Sequence, residues 1–169
     1  MAIEVRPVRP QEYDEAGRVT ALAYREFVRP EDPPAWEEYL ARITDVRERA
    51  VRTLVLVAVE DETILGSATL ELEGRTETDD DLPLAPGEAH IRMLGVHPDA
   101  RRRGVARLLM EACMDQAGRA GKTLMSLNTT QRMDAARRMY ESMGFERTED
   151  RVFPDGFVLL GYRKPIGQG

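Results

Sequence analysis

Residues Val96–Leu109 read VHPDARRRGVARLL: three consecutive arginines and a glycine run straight into an apolar pattern. Before them, AHIRMLGVHP reads as a strand that ends near Pro98. After them, GVARLLMEACMDQAGRAG repeats apolar residues at helical spacing, with Leu108, Leu109, Ala112 and Cys113 on the inner side and Gly121 as a stop. The stretch is therefore a strand-to-helix join. Such a join leaves the N–H groups of the first helical turn without internal partners and concentrates about half a positive charge there. Gly104 has no Cβ, so an anion can approach the backbone closely, and Ala106 is nearly as small. Arg101, Arg102 and Arg103 add charge-assisted donors suited to a diphosphate. The residues alone leave two readings open, a phosphate cradle and a solvated basic turn. The sequence has neither a G-x-x-x-x-G-K-[ST] loop nor a G-x-G-x-x-G fingerprint.

Working outward, TLMSLN reads as the next strand and MDAARRMYESMG as a helix with Ala136, Met139, Tyr140 and Met143 on one stripe. FERTEDRVF and FVLLGYR, joined by PDG, read as a closing hairpin. Upstream, TLVLVAVE and TILGSATLEL form a hairpin across Asp61 and Glu62. IEVRPVR is a first strand, and Gln11–Val28 carries helical periodicity. A second helix starts after Asp32, a candidate cap, and ends near Ala50. The order is β-α-α-β-β-β-α-β-α-β-β. The fold class is α/β: a mixed, mostly antiparallel seven-stranded sheet with helices on both faces. Residues 1–169 are read as a single domain.

Composition narrows the function. The 169 residues carry 24 Lys and Arg against 30 Asp and Glu, a formal charge of −6. That argues against a nucleic-acid partner, which needs a broad basic face. Between Glu71 and Asp81 the chain is strongly acidic, either a solvated loop or a rim that attracts an amine. Cys113 is the only cysteine, so no disulfide framework or cysteine-based metal site forms within one chain, and a cytoplasmic setting is expected. His90 and His97 are the only histidines, and their spacing suits no metal pair. No apolar run is long enough for a secretory signal or a membrane span.

The pattern Val96-x-Pro98-x-x-Arg101-x-x-Gly104-x-Ala106 resembles the acyl-CoA loop of the GNAT superfamily of N-acetyltransferases, whose core is [Q/R]-x-x-G-x-[G/A] after strand four. The resemblance continues in AARRMYESMGF, Ala135–Phe145, which is similar to that family's A-x-x-x-Y-x-x-x-GF helix end. It implies a GNAT-like sheet splayed between strands four and five, with acetyl-CoA as cosubstrate and no metal. Leu94, Gly95 and Val96 would offer backbone groups to the pantetheine arm, and an N–H near Leu94 would hold the developing oxyanion. Arg101, Arg102, Arg103, Gly104, Val105 and Ala106 would cradle the pyrophosphate. Tyr140 matches the general acid that protonates the leaving thiolate. As general base, Glu88 comes first and His90 second, with a water relay as a third route. Many family members carry an asparagine where this chain has Met133.

These readings lead to an N-acetyltransferase that moves an acetyl group to a primary amine within a ternary complex. The alternative is a non-catalytic acyl-CoA binding module. The acceptor amine carries no readable motif. Tyr24, Phe27 and Trp36 are candidates to line its pocket, and a homodimer through the sheet edge is compatible with the order.

Overall fold

Alternate residues of the strand Leu54–Glu60 face different partners. Leu56 and Ala58 join an apolar cluster with Leu109, Met110 and Cys113, while Val55, Val57 and Val59 pack with Ala16, Val19 and Val46. A strand apolar on both faces must lie between two covering layers. The computed structural model, which describes residues 2–73, 83–154 and 156–167, shows how those layers arise. In chain order the elements are β1 (Glu4–Pro7), α1 (Tyr13–Arg25), α2 (Ala35–Thr44), α3 (Val46–Ala50), β2 (Leu54–Glu60), β3 (Thr63–Glu71), β4 (Glu88–Val96), α4 (Val105–Arg119), β5 (Leu124–Thr129), α5 (Asp134–Ser142), β6 (Glu146–Arg147), β7 (Arg151–Val152) and β8 (Val158–Pro165). The strands form one open sheet in the order β1-β2-β3-β4-β5-β8-β6, with β7 also paired to β8. Among the described residues only β4 and β5 run parallel; the other pairs are antiparallel. α4 and α5 cover one face, and α1, α2 and α3 the other.

The β2–β3 hairpin turns where the sequence pattern places it. Asp61 and Glu62 both take left-handed φ values, 50° and 66°, which match the twist of flanking strands in a two-residue turn. In four respects the structure departs from the sequence reading. Eight strands, not seven, lie among the described residues, because the first arm of the closing hairpin is split. The chain leaves the sheet after Arg147 and rejoins at Arg151, and an Arg147–Asp150 ion pair spans the detour. The second helix is two helices. Asp45 leaves helical geometry (φ −86°, ψ 73°) and its carboxylate caps α3 by accepting the Glu48 N–H at 3.2 Å. Asp32 caps nothing; its carboxylate is committed to Arg132 and the Arg29 N–H. Leu108 is exposed, and Met110 takes its place on the buried stripe of α4 with Val105, Leu109, Cys113 and Ala117. Most of the expected acidic rim, residues 74–82, lies outside the described residues.

Candidate active site

β4 and β5 pair only from Glu88↔Leu124 to Ile91↔Leu127. Beyond that point β5 continues beside β8 and β4 beside β3, so the strands part. The splay coincides with a bulge. Ser67 pairs with Gly95 and Thr69 with Arg92, so three steps along β4 oppose two along β3. Met93 sits in the bulge with φ 54°, a conformation that disfavours a side chain. The bulge reverses the alternation. Ala89 and Ile91 face the α4 layer, then Leu94 and Val96 do so, while Arg92 and Met93 both face the cleft. A Cβ on Gly95 would meet Ala23 and Thr20 of α1. The backbone at Leu94 is thus turned out of ladder register where β4 has lost its β5 neighbour.

Past Val96 the chain makes a single 3-10 turn, Pro98–Ala100, and then Arg102 and Gly104 both take left-handed φ values, 64° and 77°. Gly104 is the N-cap of α4 and no side chain caps that helix, so its first-turn donors face outward. A Cβ built on Gly104 would meet nothing within 4 Å, so the groove beside the backbone is open, and it fits a diphosphate approaching the helix start. The three arginines are not equivalent. Arg101 pairs with Glu26 at 2.7 Å and Arg103 with Glu60 at 2.5 Å. No ion pair engages Arg102 among the described residues.

A cleft of about 1400 Å³ opens on the α1–α2 side of the splay, and Tyr24, Trp36, Glu88, His90, Ser126 and Phe157 are among its lining residues. Phe27 does not line it among the described residues; its carbonyl accepts a hydrogen bond from Arg132. Tyr24 is half-buried, and desolvation pushes its phenol well above the ordinary range, with Tyr39 and Tyr140 adding to the effect. Tyr140 stands behind the cleft, buried against Phe145 and Tyr162 with ring centroids 6.1 and 6.0 Å away. Burial raises its phenol above the usual value of 10.0, and Tyr162 adds to this, so it is a neutral donor at pH 7.

Glu88 and His90 lie two residues apart on β4 and so share a face. Parallel register sets Ser126 directly opposite His90. The three side chains form a chain of hydrogen bonds: Ser126 Oγ donates to Glu88 Oε2 at 2.5 Å and lies 2.8 Å from His90 Nδ1. Glu88 Oε1 also accepts the Ala85 N–H at 2.8 Å. Nearby, Arg92 pairs with the buried Glu71 at 3.2 Å. Met133 stands at the edge of the cleft, its sulfur accepting from Thr129 Oγ1 at 3.4 Å; a thioether there accepts weakly and donates nothing. Cys113 is fully buried on the inner face of α4, and burial pushes its thiol up to about 12.

Two contributors escape a sequence reading. Ser126 is an ordinary polar residue in TLMSLN until β4 is laid beside it. Arg132, just before α5, forks onto both carboxylate oxygens of Asp32 at 2.7 and 2.8 Å, so it ties the α1–α2 loop to the β5–α5 loop beside the cleft. Asp32 and Arg132 are 100 residues apart and nothing local announces their pairing. Among the described residues, no three His, Cys, Asp or Glu side chains stand together as a metal site, and no helix is long and apolar enough to cross a membrane.

Comparison with known proteins fits this geometry. The acetyltransferase (GNAT) family matches residues 18–145. Among solved structures, the ribosomal-protein-S18-alanine N-acetyltransferase from Escherichia coli superposes with a TM-score of 0.69 at 18% identity, over 99% of this chain and 96% of that one. Ard1 from Thermoplasma volcanium gives 0.69 at 18% identity over 99% of both chains. yncA from Salmonella typhimurium, whose structure holds its cofactor acetyl-CoA, gives 0.66 at 19% identity over 100% of this chain and 96% of that one. Among curated proteins nothing matches. With the family match covering most of its length and the splayed, bulged sheet at its centre, the chain belongs to the GNAT family of acetyltransferases.

Proposed function

We propose that this chain is a single-domain N-acetyltransferase that uses acetyl-CoA and passes the acetyl group directly to a primary amine. One observation carries the reading. The end of β4–β5 pairing, the Met93 bulge and the uncapped start of α4 follow one another along a single stretch of chain. That sequence of features suits an extended thioester with a diphosphate at one end. Acetyl-CoA supplies the activated acetyl group.

In this reading Leu94, Gly95 and Val96 pair their peptide groups with the pantetheine arm, and the Leu94 N–H polarises the acetyl carbonyl. The pyrophosphate rests on the amides of Arg103, Gly104, Val105 and Ala106. Arg102 is the arginine best placed to add charge, since Glu26 and Glu60 already engage Arg101 and Arg103. The Glu88–His90 pair on β4 draws a proton from the ammonium form of the acceptor. The neutral amine then attacks the carbonyl carbon, the C–S bond breaks, and Tyr140 gives its proton to the thiolate. The burial of Cys113 supports direct attack over an acetyl-cysteine intermediate. That lone buried cysteine fits a cytoplasmic protein. The carboxylates on Arg101 and Arg103 shrink the basic patch and weigh against a nucleic-acid partner.

Incubation with acetyl-CoA and a panel of primary amines, followed as free thiol, tests the reading. Thiol release that depends on the amine is the expected result. Calorimetry without heat on adding acetyl-CoA overturns it. Tight binding with no turnover across the panel leaves the acyl-CoA binding module.

A further inference from the structure

Ser126 has one proton and two neighbours that want it. Glu88 Oε2 is 2.5 Å away and His90 Nδ1 is 2.8 Å away, while the approach to the Ala89 carbonyl, at 3.4 Å, is too long to compete. An ionised carboxylate accepts only, so the hydroxyl proton points to Glu88. The Ser126 oxygen is then an acceptor toward His90, and Nδ1 must carry a hydrogen to satisfy it. A neutral imidazole has one such hydrogen, so its lone pair lies on Nε2. Glu88 meanwhile has both oxygens engaged by protein donors, Ser126 and the Ala85 N–H.

We propose that Ser126 is a positioning residue that locks His90 in the Nδ1–H tautomer, so that His90 Nε2 is the base and Glu88 its anchor. The inference rests on the acetyl-transfer reading above and divides labour within the pair named there. The acceptor's ammonium gives one proton to Nε2. The resulting imidazolium goes on donating its Nδ1–H to the Ser126 oxygen, whose own hydroxyl goes on donating to Glu88. The amine lone pair forms the C–N bond as the C–S bond breaks. A second nitrogen proton reaches sulfur by way of Tyr140, and the imidazolium later returns its proton to solvent. The sum is ammonium plus thioester giving amide, thiol and one released proton, with no change in Glu88.

The chain contains a built-in reference. His97 Nδ1 accepts the Asp99 N–H at 3.0 Å, so neutral His97 carries its hydrogen on Nε2. Long-range proton–nitrogen correlation on the nitrogen-labelled protein, at a pH where both rings are neutral, should therefore show opposite tautomers, with H97Q assigning the signals. In S126A the His90 hydrogen should move to Nε2 while the His97 signal stays unchanged, which reports an intact fold; S126T should keep the native tautomer. With an alkylamine, S126A should lose about tenfold in kcat at unchanged acetyl-CoA KM, and S126T should restore most of it. With an alkoxyamine, already neutral at assay pH, the loss should fall to about twofold or less. An Nε2–H His90 in the unmodified protein, or an S126A variant unchanged in both tautomer and kcat, overturns the proposal. A correct tautomer without turnover on any amine overturns the acetyl-transfer reading and with it the role of His90 as base. A wrong tautomer with normal turnover overturns the Ser126 inference alone.

Discussion

Removing the Tyr140 hydroxyl takes one oxygen from a phenol packed between Phe145 and Tyr162 and leaves the ring contacts in place. Y140F should therefore fold normally and bind acetyl-CoA as tightly as the parent. Its kcat should drop by about a hundredfold, since in the proposed reaction the leaving thiolate loses its donor; steady-state kinetics beside calorimetry separates the two effects. Because burial lifts this phenol above 10.0, it keeps its proton through moderately alkaline pH, and Tyr140 itself should cause no fall in kcat as pH rises to 9.5. At this scale the sequence was informative wherever a residue's type constrains its chemistry. Tyr140 and Gly104 could be singled out from motif spacing, and the polar alternation of Glu88, His90 and Arg92 could be read from EAHIR. Ser126 could not, because a hydroxyl acquires its role only from what lies across the strand, 36 residues from His90.

Elements add backbone conformations that side-chain patterns do not encode. Gly104 combines a φ of 77° with open space where a Cβ would go, so G104A meets no clash and its cost is conformational. Chemical denaturation should show a loss of about 1 kcal/mol, and calorimetry a weaker affinity for acetyl-CoA as the added methyl enters the proposed phosphate approach. The β1 end is held differently. Arg6 forks onto Glu12 at 2.9 and 2.8 Å, and the Arg9 N–H also bonds Glu12. The Arg6 hydrogen bond, helped by Arg9, holds the Glu12 carboxyl down at about 2, against an ordinary 4.5. A depressed folded-state value means the unfolded chain takes up the proton first. The stabilisation is thus complete above pH 4.5 and fades as pH falls toward 2. In E12Q, Tm should change less between pH 5 and pH 3 than in the parent. The strand and helix positions were largely legible, since alternation and helical spacing survive in LVLVAVE and GVARLLMEAC. The Met93 bulge and the Asp45 break were not. The first depends on how β4 pairs with β3, and the second on one residue that leaves helical geometry and caps the next turn.

Across the whole molecule, the Arg132–Asp32 fork joins segments 100 residues apart on either side of the cleft. The Arg132 guanidinium, with the Arg29 N–H, holds the Asp32 carboxyl at about 2, and the Asp32 side chain is only 5% exposed. R132A strands that carboxylate beside a loop that has lost its tether. Limited proteolysis should then cut within residues 27–35 faster than in the parent, and Tm should fall. A rate of cleavage equal to the parent's would show that the fork does not restrain the loop. Topology was legible at this scale because its β-α-β unit around β4 and β5 is local; the cleft was not, because its walls come from both ends of the chain. Sealing Cys113 against the sheet on the inner face of α4 has a practical corollary. It is the chain's only sulfhydryl, its titration is displaced to about 12, and no solvent reaches it. A chromogenic disulfide reagent should therefore leave the native protein colourless, so that any yellow in a turnover assay counts cleaved thioesters. One further equivalent should appear when urea opens the fold, making the same dye a gauge of denatured molecules.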